Sequence, residues 1–175
     1  MSPLFIIGYM ACGKTTFGRA LARELGWQFI DLDFYIEQRF RRSIRDIFAE
    51  RGEAGFRRIE AAMLREAGEF EDVVIACGGG TPCFNENMDY MNSRGVTVYL
   101  DTPVRRIAER LIANRSKRPL MADKSESEIE GAVREGLAGR LCHYSKAQIF
   151  FSGEQLEDRR QIADSVAAFL AAHPI

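Results

Sequence analysis

The sequence of 175 residues lacks several features that would restrict its chemistry or its surroundings. It has only two histidines and four cysteines, with no C-x-x-C spacing, so neither a zinc site nor a disulfide framework is expected. The net charge of −1 gives no electrostatic reason to bind nucleic acid or a membrane surface. No run approaches the ~18 apolar residues of a membrane span, and the N-terminal segment does not read as a signal peptide. We therefore expect a cytoplasmic protein with reduced cysteines.

A phosphate-binding loop is the most informative feature that is present. Residues 8–15 read Gly-Tyr-Met-Ala-Cys-Gly-Lys-Thr, which fits G-x-x-x-x-G-K-[ST]. An apolar run precedes the loop and an amphipathic stretch follows it, as the strand–loop–helix setting requires. We expect Lys14 to reach the β- and γ-phosphates of a nucleotide and the Thr15 hydroxyl to bind Mg²⁺. The residues expected to bind the nucleotide through this loop are Ala11, Cys12, Gly13, Lys14, Thr15 and Thr16.

Apolar segments alternate with helical patterns along the whole chain. Strands are expected at 4–7, 29–33, 73–76, 96–100 and 148–151. Helices are expected at 14–25, at 34–68 with breaks at Gly52 and Gly55 and a restart at Ser43, at 103–112, at 125–141 and near the C-terminus. Continuous apolar strands separated by helices are typical of a parallel sheet covered on both faces. The sequence thus predicts one α/β domain over residues 1–175, with a central parallel sheet of about five strands.

Three candidate sites follow predicted strands: the phosphate loop, the acidic pair Asp31 and Asp33, and the glycine run 78–80. Ligands of parallel sheets bind beyond the carboxyl ends of the strands, so these sites should meet in space. Asp33, placed at the end of its strand, could take the proton of an attacking hydroxyl; alternatively it is a helix N-cap. Arg57, Arg118 and Arg140 suit carboxylates or phosphates. The implied acceptor is small, hydroxylated and anionic.

The absence of an N-K-x-D element excludes a guanine-reading GTPase. A small chain with a helical insertion at about 34–68 and a basic loop at about 113–125 resembles the nucleoside-monophosphate-kinase-like group, whose members close a lid over the transfer reaction. That likeness implies a three-layer α/β/α P-loop kinase fold with a substrate-binding insertion and a lid.

Six motifs in order resemble the shikimate kinase family over nearly the whole chain. They are the phosphate loop, Asp31-Leu32-Asp33, Gly52-Glu53-Ala54-Gly55-Phe56-Arg57 with Glu60, Cys77-Gly78-Gly79-Gly80, Lys117-Arg118-Pro119-Leu120, and Arg140 followed by Tyr144. The resemblance implies ATP-dependent phosphorylation of the 3-hydroxyl of shikimate, in aromatic amino-acid biosynthesis, by a monomer.

The resemblance also implies a role for each matching residue. Lys14, Asp33 and Arg118 would be catalytic, with Asp33 as a substrate ligand and possible base. Asp31 and Thr15 would hold Mg²⁺. The shikimate-binding set would be Asp33, Arg57, Gly78, Gly79, Gly80 and Arg140, with Phe48 and Phe56 as walls of the pocket. Arg118 would reach the transferring phosphate from the lid, and the adenine-side arginine would be Arg110, with Arg115 as the alternative.

Several departures and alternatives remain open. Ala11 stands where a glycine is common, Thr15 replaces the commoner serine, and the segment after Arg140 lacks a frequent proline. Cys12 is either a reactive thiol or a small residue that fits the loop. Asp101 ends a strand and is interpreted as a helix cap rather than a second metal ligand. The rival functions are another small-molecule kinase, such as a gluconate kinase, and a non-catalytic nucleotide-binding module.

Overall fold

Five parallel strands form one sheet at the centre of the molecule, for which the computed structural model describes residues 1–114 and 125–175. The strands are β1 Leu4–Ile7, β2 Gln28–Asp31, β3 Val73–Ala76, β4 Val96–Asp101 and β5 Ile149–Ser152. Their order is β2-β3-β1-β4-β5, and every neighbouring pair is parallel. The predicted α/β class and number of strands are confirmed.

Helices cover both faces of this sheet. They are α1 Lys14–Leu25, α2 Leu32–Phe40, α3 Ile44–Gly68, α4 Asn87–Arg94, α5 Val104–Ala113, α6 Glu126–Ala138, α7 Leu141–Tyr144 and α8 Arg159–Ala172, with a short 3-10 helix at Thr81–Cys83. Adjacent residues of β1 show the two faces: Ile6 lies against α1 at Gly18, while the Phe5 ring meets Tyr90 of α4 at 6.4 Å. Because both faces are covered, β1 and β3 are buried at every position, which explains their unbroken apolar sequences.

The helical insertion after β2 consists of α2 and α3. The Ser43 side chain caps α3 by accepting a hydrogen bond from the Asp46 N–H, which confirms the predicted restart. Gly52 interrupts α3 with φ 66° and ψ 179°, a conformation open to glycine, so the break predicted there is confirmed. The break predicted at Gly55 is wrong, because Gly55 is helical and buried.

Sequence patterns missed or misplaced other helices. No helix was expected at α4, where Asn, Asp and Ser are weak helix formers. The pattern at 125–141 divides into α6, which begins with the predicted capping box of Ser125 and Glu128, and the short α7. Asp101 is not a helix cap: it ends β4 and accepts a hydrogen bond from the Tyr99 hydroxyl, while Pro103 stands at the N-cap of α5.

No helix among residues 1–114 and 125–175 is long and apolar enough to cross a membrane. The predicted lid at about 113–125 lies almost entirely outside the described residues.

Candidate active site

The phosphate loop connects the end of β1 to the start of α1. Gly8 and Gly13 adopt φ values of 148° and 109°. A side chain at Gly13 would also collide with Leu156, since its Cβ would lie 2.5 Å from that residue's Cδ1. Ala11 has φ 58°, so the loop does hold a Cβ in the left-handed region, at a cost of about 1–2 kcal/mol. The loop conformation therefore tolerates the Ala11 departure but stores strain there.

Lys14 is held at the mouth of this loop. Its Nζ donates hydrogen bonds to the carbonyl oxygens of Gly8 at 2.9 Å and Tyr9 at 2.8 Å. The ammonium group is thereby fixed above the loop, where a bound phosphate would replace the carbonyls as its partner. Cys12 packs beneath, with no exposed surface and its Sγ 3.7 Å from Lys14 Nζ. Such burial favours the interpretation of Cys12 as a residue that fits the loop.

Thr15 and Asp31 bring the loop and β2 together. The Thr15 hydroxyl donates to Asp31 Oδ2 at 2.9 Å, and Asp31 also caps α2 by accepting from the Phe34 N–H. This donor set suits Mg²⁺, which is usually bound by one or two protein oxygens together with waters and substrate phosphates. In the described parts of the chain, no group of three or more His, Cys, Asp or Glu could hold a metal without such help.

Asp33 occupies the first turn of α2, not the end of a strand as the sequence indicated, and the N-cap position belongs to Asp31. Its carboxylate is open to the water of the cleft but surrounded by protein on several sides. Burial of the group, followed by the charges of Asp31 and Glu60, raises its pKa to about 6. The charge of Lys14 acts in the opposite direction. A carboxylate with this pKa is a suitable general base near neutral pH.

Arg57 is fixed by a buried carboxylate. Its Nη1 lies 2.8 Å from Oε2 of Glu60, whose side chain is only 1% exposed. The other Glu60 oxygen accepts a 2.6 Å hydrogen bond from the Thr81 hydroxyl. The guanidinium also stacks over Phe84, with Cζ 4.2 Å from the ring centre, and its Nε is buried with no hydrogen-bond partner. Arg57 is therefore held rigidly, with spare donor capacity.

The glycine run lies between Arg57 and Arg140. A Cβ on Gly80 would lie 2.6 Å from Arg57 Nη2, and one on Gly79 would lie 3.3 Å from Arg140 Nη1. Side chains at these two positions would displace the guanidinium groups. The Tyr144 hydroxyl donates to the Gly79 carbonyl oxygen at 2.5 Å, which ties α7 to the run.

One cleft of about 440 Å³ joins these elements. Its lining contains the predicted residues Ala11, Lys14, Thr15, Asp31, Asp33, Phe48, Phe56, Arg57, Gly78, Gly79, Gly80 and Arg140. The Phe48 and Phe56 rings stack at 4.4 Å between centres, in the wall of the cleft. Sites that the sequence placed at three strand ends thus converge on a single cavity.

Arg110, predicted to contact adenine, is not among the residues that line this cavity. Arg110 donates to the carbonyl oxygens of Cys12 and Gly153, at 2.9 and 2.8 Å, and pairs with Glu157. The guanidinium N–H groups of Arg110 are thus already hydrogen-bonded beside the phosphate loop. Its contact with adenine stays a prediction. Arg115 and Arg118 lie outside the described residues.

Sequence reasoning missed the partners that orient these side chains. It named Glu60 and Tyr144 only as parts of motifs, and it gave Thr81 and Tyr9 no role. The one sequence signal was spacing: Arg57 and Glu60 are three residues apart on a helix, where opposite charges can pair.

A phosphate loop at the end of β1, a hydroxyl–carboxylate pair and a cleft lined with arginines define a P-loop kinase of a small acceptor. The family model described as "Shikimate kinase" matches residues 10–171. A shikimate kinase of Phocaeicola vulgatus is 51% identical over 166 residues, which cover 95% of each chain. The chain belongs to the shikimate kinase family.

Solved structures agree with this assignment. The crystal structure of shikimate kinase from Bacteroides thetaiotaomicron has a TM-score of 0.93 and 44% identity, covering 98% of this chain and 97% of the other. Shikimate kinase from Acinetobacter baumannii, solved in complex with shikimate, has a TM-score of 0.83 and 31% identity, covering 100% and 96%. Membership in this family favours a catalytic kinase over a non-catalytic module.

Proposed function

We propose that this enzyme transfers the γ-phosphoryl group of ATP to the 3-hydroxyl of shikimate, giving shikimate 3-phosphate and ADP, in aromatic amino-acid biosynthesis. The observation that carries the proposal is the single cleft in which the phosphate loop faces Asp33 and two arginines. Support also comes from the relatives named shikimate kinase and from the A. baumannii structure, which is described as a complex with shikimate.

The cleft suggests a division of roles at the acceptor. Arg57 and Arg140 would bind the shikimate carboxylate, because both guanidinium groups border the glycine run and line the same cleft. Asp33 would accept the proton of the 3-hydroxyl as its oxygen bonds to the γ-phosphorus and the bond to the β–γ bridging oxygen breaks.

At the nucleotide, Lys14 would exchange its loop carbonyls for β- and γ-phosphate oxygens and so offset the charge that moves to ADP. Backbone N–H groups of residues 11–16 would bind the phosphates. By family resemblance alone, Arg118 is expected to bring a further positive charge to the transferring group. On the same basis, Arg110 is expected to contact the adenine.

Mg²⁺ would be held by the Thr15 hydroxyl and, partly through water, by Asp31. When bound, the ion neutralises phosphate charge during transfer. Asp31 would also orient the Thr15 hydroxyl, because its carboxylate accepts a hydrogen bond from that group.

We further infer a cytoplasmic monomer whose partners are ATP and shikimate, without nucleic acid or membrane. The low net charge supports the absence of nucleic-acid and membrane partners, and the monomer rests on resemblance to the family. Gel filtration with light scattering would test the monomer, and a dimer mass at micromolar concentration would contradict it.

A coupled ADP-release assay tests the function. Mg·ATP is supplied with shikimate, quinate, gluconate or no acceptor. We expect rapid release with shikimate and very little with no acceptor, because transfer to water is excluded when the site is closed. ADP release with gluconate but not with shikimate would support a kinase but overturn the assignment of shikimate as the acceptor. Nucleotide binding with no acceptor-dependent release would support the non-catalytic alternative.

A further inference from the structure

Tyr9, the second residue of the phosphate loop, is buried with only 7% of its surface exposed. Most of the loop must stay open to phosphate, so a large buried aromatic ring there calls for a reason. Its hydroxyl end fits against Gly136 of α6, where a Cβ would lie 2.2 Å from the Tyr9 oxygen. The ring is therefore fixed from outside the loop by a notch in α6.

The face of this ring contacts the acceptor arginine. Arg140 Cζ lies 5.0 Å from the centre of the Tyr9 ring, a cation–π distance. Arg140 is the N-cap residue of the short helix α7, and the ring limits where its guanidinium can lie. The segment after Arg140 lacks a proline that is frequent in the family, and the Tyr9 ring supplies a separate constraint on the direction of Arg140.

The backbone of the same residue contacts the nucleotide lysine. The Tyr9 carbonyl oxygen accepts a 2.8 Å hydrogen bond from Lys14 Nζ. The glycine run packs directly on the loop as well, since a Cβ at Gly79 would lie 3.4 Å from the Met10 nitrogen and 3.5 Å from the Gly8 oxygen. The phosphate loop, the glycine run and Lys14 are therefore joined by short contacts at Tyr9 and its neighbours.

We propose that Tyr9 is a positioning residue that holds Arg140 in its acceptor-binding direction and links it to Lys14, so that nucleotide binding changes acceptor affinity. Lys14 releases the Tyr9 carbonyl for the phosphates, and the ring carries the adjustment to Arg140. This inference rests on the proposed function, because it takes shikimate as the acceptor.

Three variants and one control separate positioning from general stability. Tyr9→Leu removes the aromatic face, whereas Tyr9→Phe keeps the face and loses only the hydroxyl. Gly136→Ala leaves Tyr9 unchanged but pushes its ring from α6. Tyr90→Leu is the stability control, because Tyr90 is a half-buried tyrosine that packs on α3 and β1, away from the cleft.

The first readout is the division between KM and kcat with shikimate and Mg·ATP. We expect Tyr9→Leu to raise the shikimate KM about threefold to tenfold with kcat little changed, from loss of a half-buried cation–π contact. Gly136→Ala should raise it in the same direction. Tyr9→Phe should keep a shikimate KM close to that of the wild type, and Tyr90→Leu should leave this KM unchanged.

The second readout is calorimetric affinity for shikimate, with and without saturating Mg·ADP. The ratio of the two dissociation constants should move towards one in Tyr9→Leu and stay near the wild-type ratio in Tyr9→Phe. An unchanged shikimate KM and ratio in Tyr9→Leu would overturn the inference. The inference would also be overturned if Tyr9→Leu raised the KM for ATP as much as the KM for shikimate and lowered kcat by a similar factor. That result would indicate that the substitution disrupts the phosphate loop as a whole. Failure of the wild type to use shikimate would instead reject the proposed function.

Discussion

The Thr15 hydroxyl donates a hydrogen bond of 2.9 Å to the Asp31 carboxylate, so the phosphate loop and the end of β2 meet directly. The strand order explains why this contact forms. β3 alone separates β1 from β2 in the sheet, and both strands end at the same edge. A hydroxyl and a carboxylate that are 16 residues apart in the chain thus become neighbours, as the proposed Mg²⁺ site requires.

Magnesium dependence should follow the charge of Asp31. Asp31→Asn keeps an oxygen for Thr15 but removes the negative charge. We expect the Mg²⁺ concentration for half-maximal activity to rise about tenfold or more, with activity largely recovered at high Mg²⁺. The matched control is Asp164→Asn, an exposed aspartate of α8 paired with Arg160. An Mg²⁺ titration equal for the two variants would contradict the assignment.

Protonation of Asp33 should determine how the rate falls at acid pH. The base must be ionised, and its pKa is raised to about 6 by burial and by Asp31 and Glu60. We therefore expect kcat/KM for shikimate to fall as the pH drops below about 6 and to be level above it. Asp33→Asn should lower kcat about 100-fold or more and remove this fall at acid pH, with ATP affinity retained by calorimetry. Near-wild-type turnover of Asp33→Asn would reduce Asp33 to a structural residue.

Arg57 should affect both stability and acceptor binding. Arg57→Ala leaves the buried Glu60 with Thr81 as its remaining partner, and we expect a loss of about 3 kcal/mol in the free energy of unfolding together with a higher shikimate KM.

A double variant separates the two effects of Arg57. Adding Glu60→Gln removes the buried charge, so it should recover much of the stability in urea denaturation but none of the KM. Recovery of both quantities would show that Arg57 acts only through folding.

The strain at Ala11 can be measured by denaturation. Its φ of 58° costs Ala energy that Gly avoids, but Gly adds entropy to the unfolded chain. We expect Ala11→Gly to change the free energy of unfolding by less than about 1 kcal/mol. Ala11→Val should lose about 2 kcal/mol or more, because β-branched residues rarely adopt positive φ. Equal stability of the Val and Ala proteins would contradict this backbone conformation.

Cysteine labelling distinguishes the two interpretations of Cys12. Cys12 and Cys77 are buried, Cys83 is half-buried and Cys142 is exposed. Burial also raises the pKa values of the Cys77 and Cys83 thiols. In the native protein we expect iodoacetamide to modify Cys142 first and Cys12 hardly at all, as read by peptide mass spectrometry. In guanidinium chloride all four should react. Rapid native labelling of Cys12 with loss of activity would restore the reactive-thiol hypothesis.

Much of the fold could be predicted from local sequence patterns. Unbroken apolar runs indicated the strands, and the phosphate-loop pattern located the loop between β1 and α1, where Lys14 and Thr15 line the cleft. Asp33 was misplaced because Leu32 continues the apolar pattern of β2 while already being the first residue of α2. One residue at such a boundary decides whether an aspartate ends a strand or lies within a helical turn.

The contacts that orient the site could not be read from sequence, because they join distant segments. Thr81 reaches Glu60 across 21 residues, and Tyr144 reaches Gly79 across 65. The stacking of Arg140 on Tyr9 likewise depends on how α6 and α7 pack over the phosphate loop. Pattern and motif identify the groups that carry chemistry, whereas long-range packing sets their directions.

The position of the transferred phosphate tests the central claim most directly. The product formed from Mg·ATP and shikimate would be analysed by proton–phosphorus correlation NMR, which reports the carbon that carries the new phosphate ester. We predict one product, with phosphorus coupled to the proton on carbon 3. Coupling at carbon 4 or 5, or phosphate appearing only as the free ion, would contradict the account.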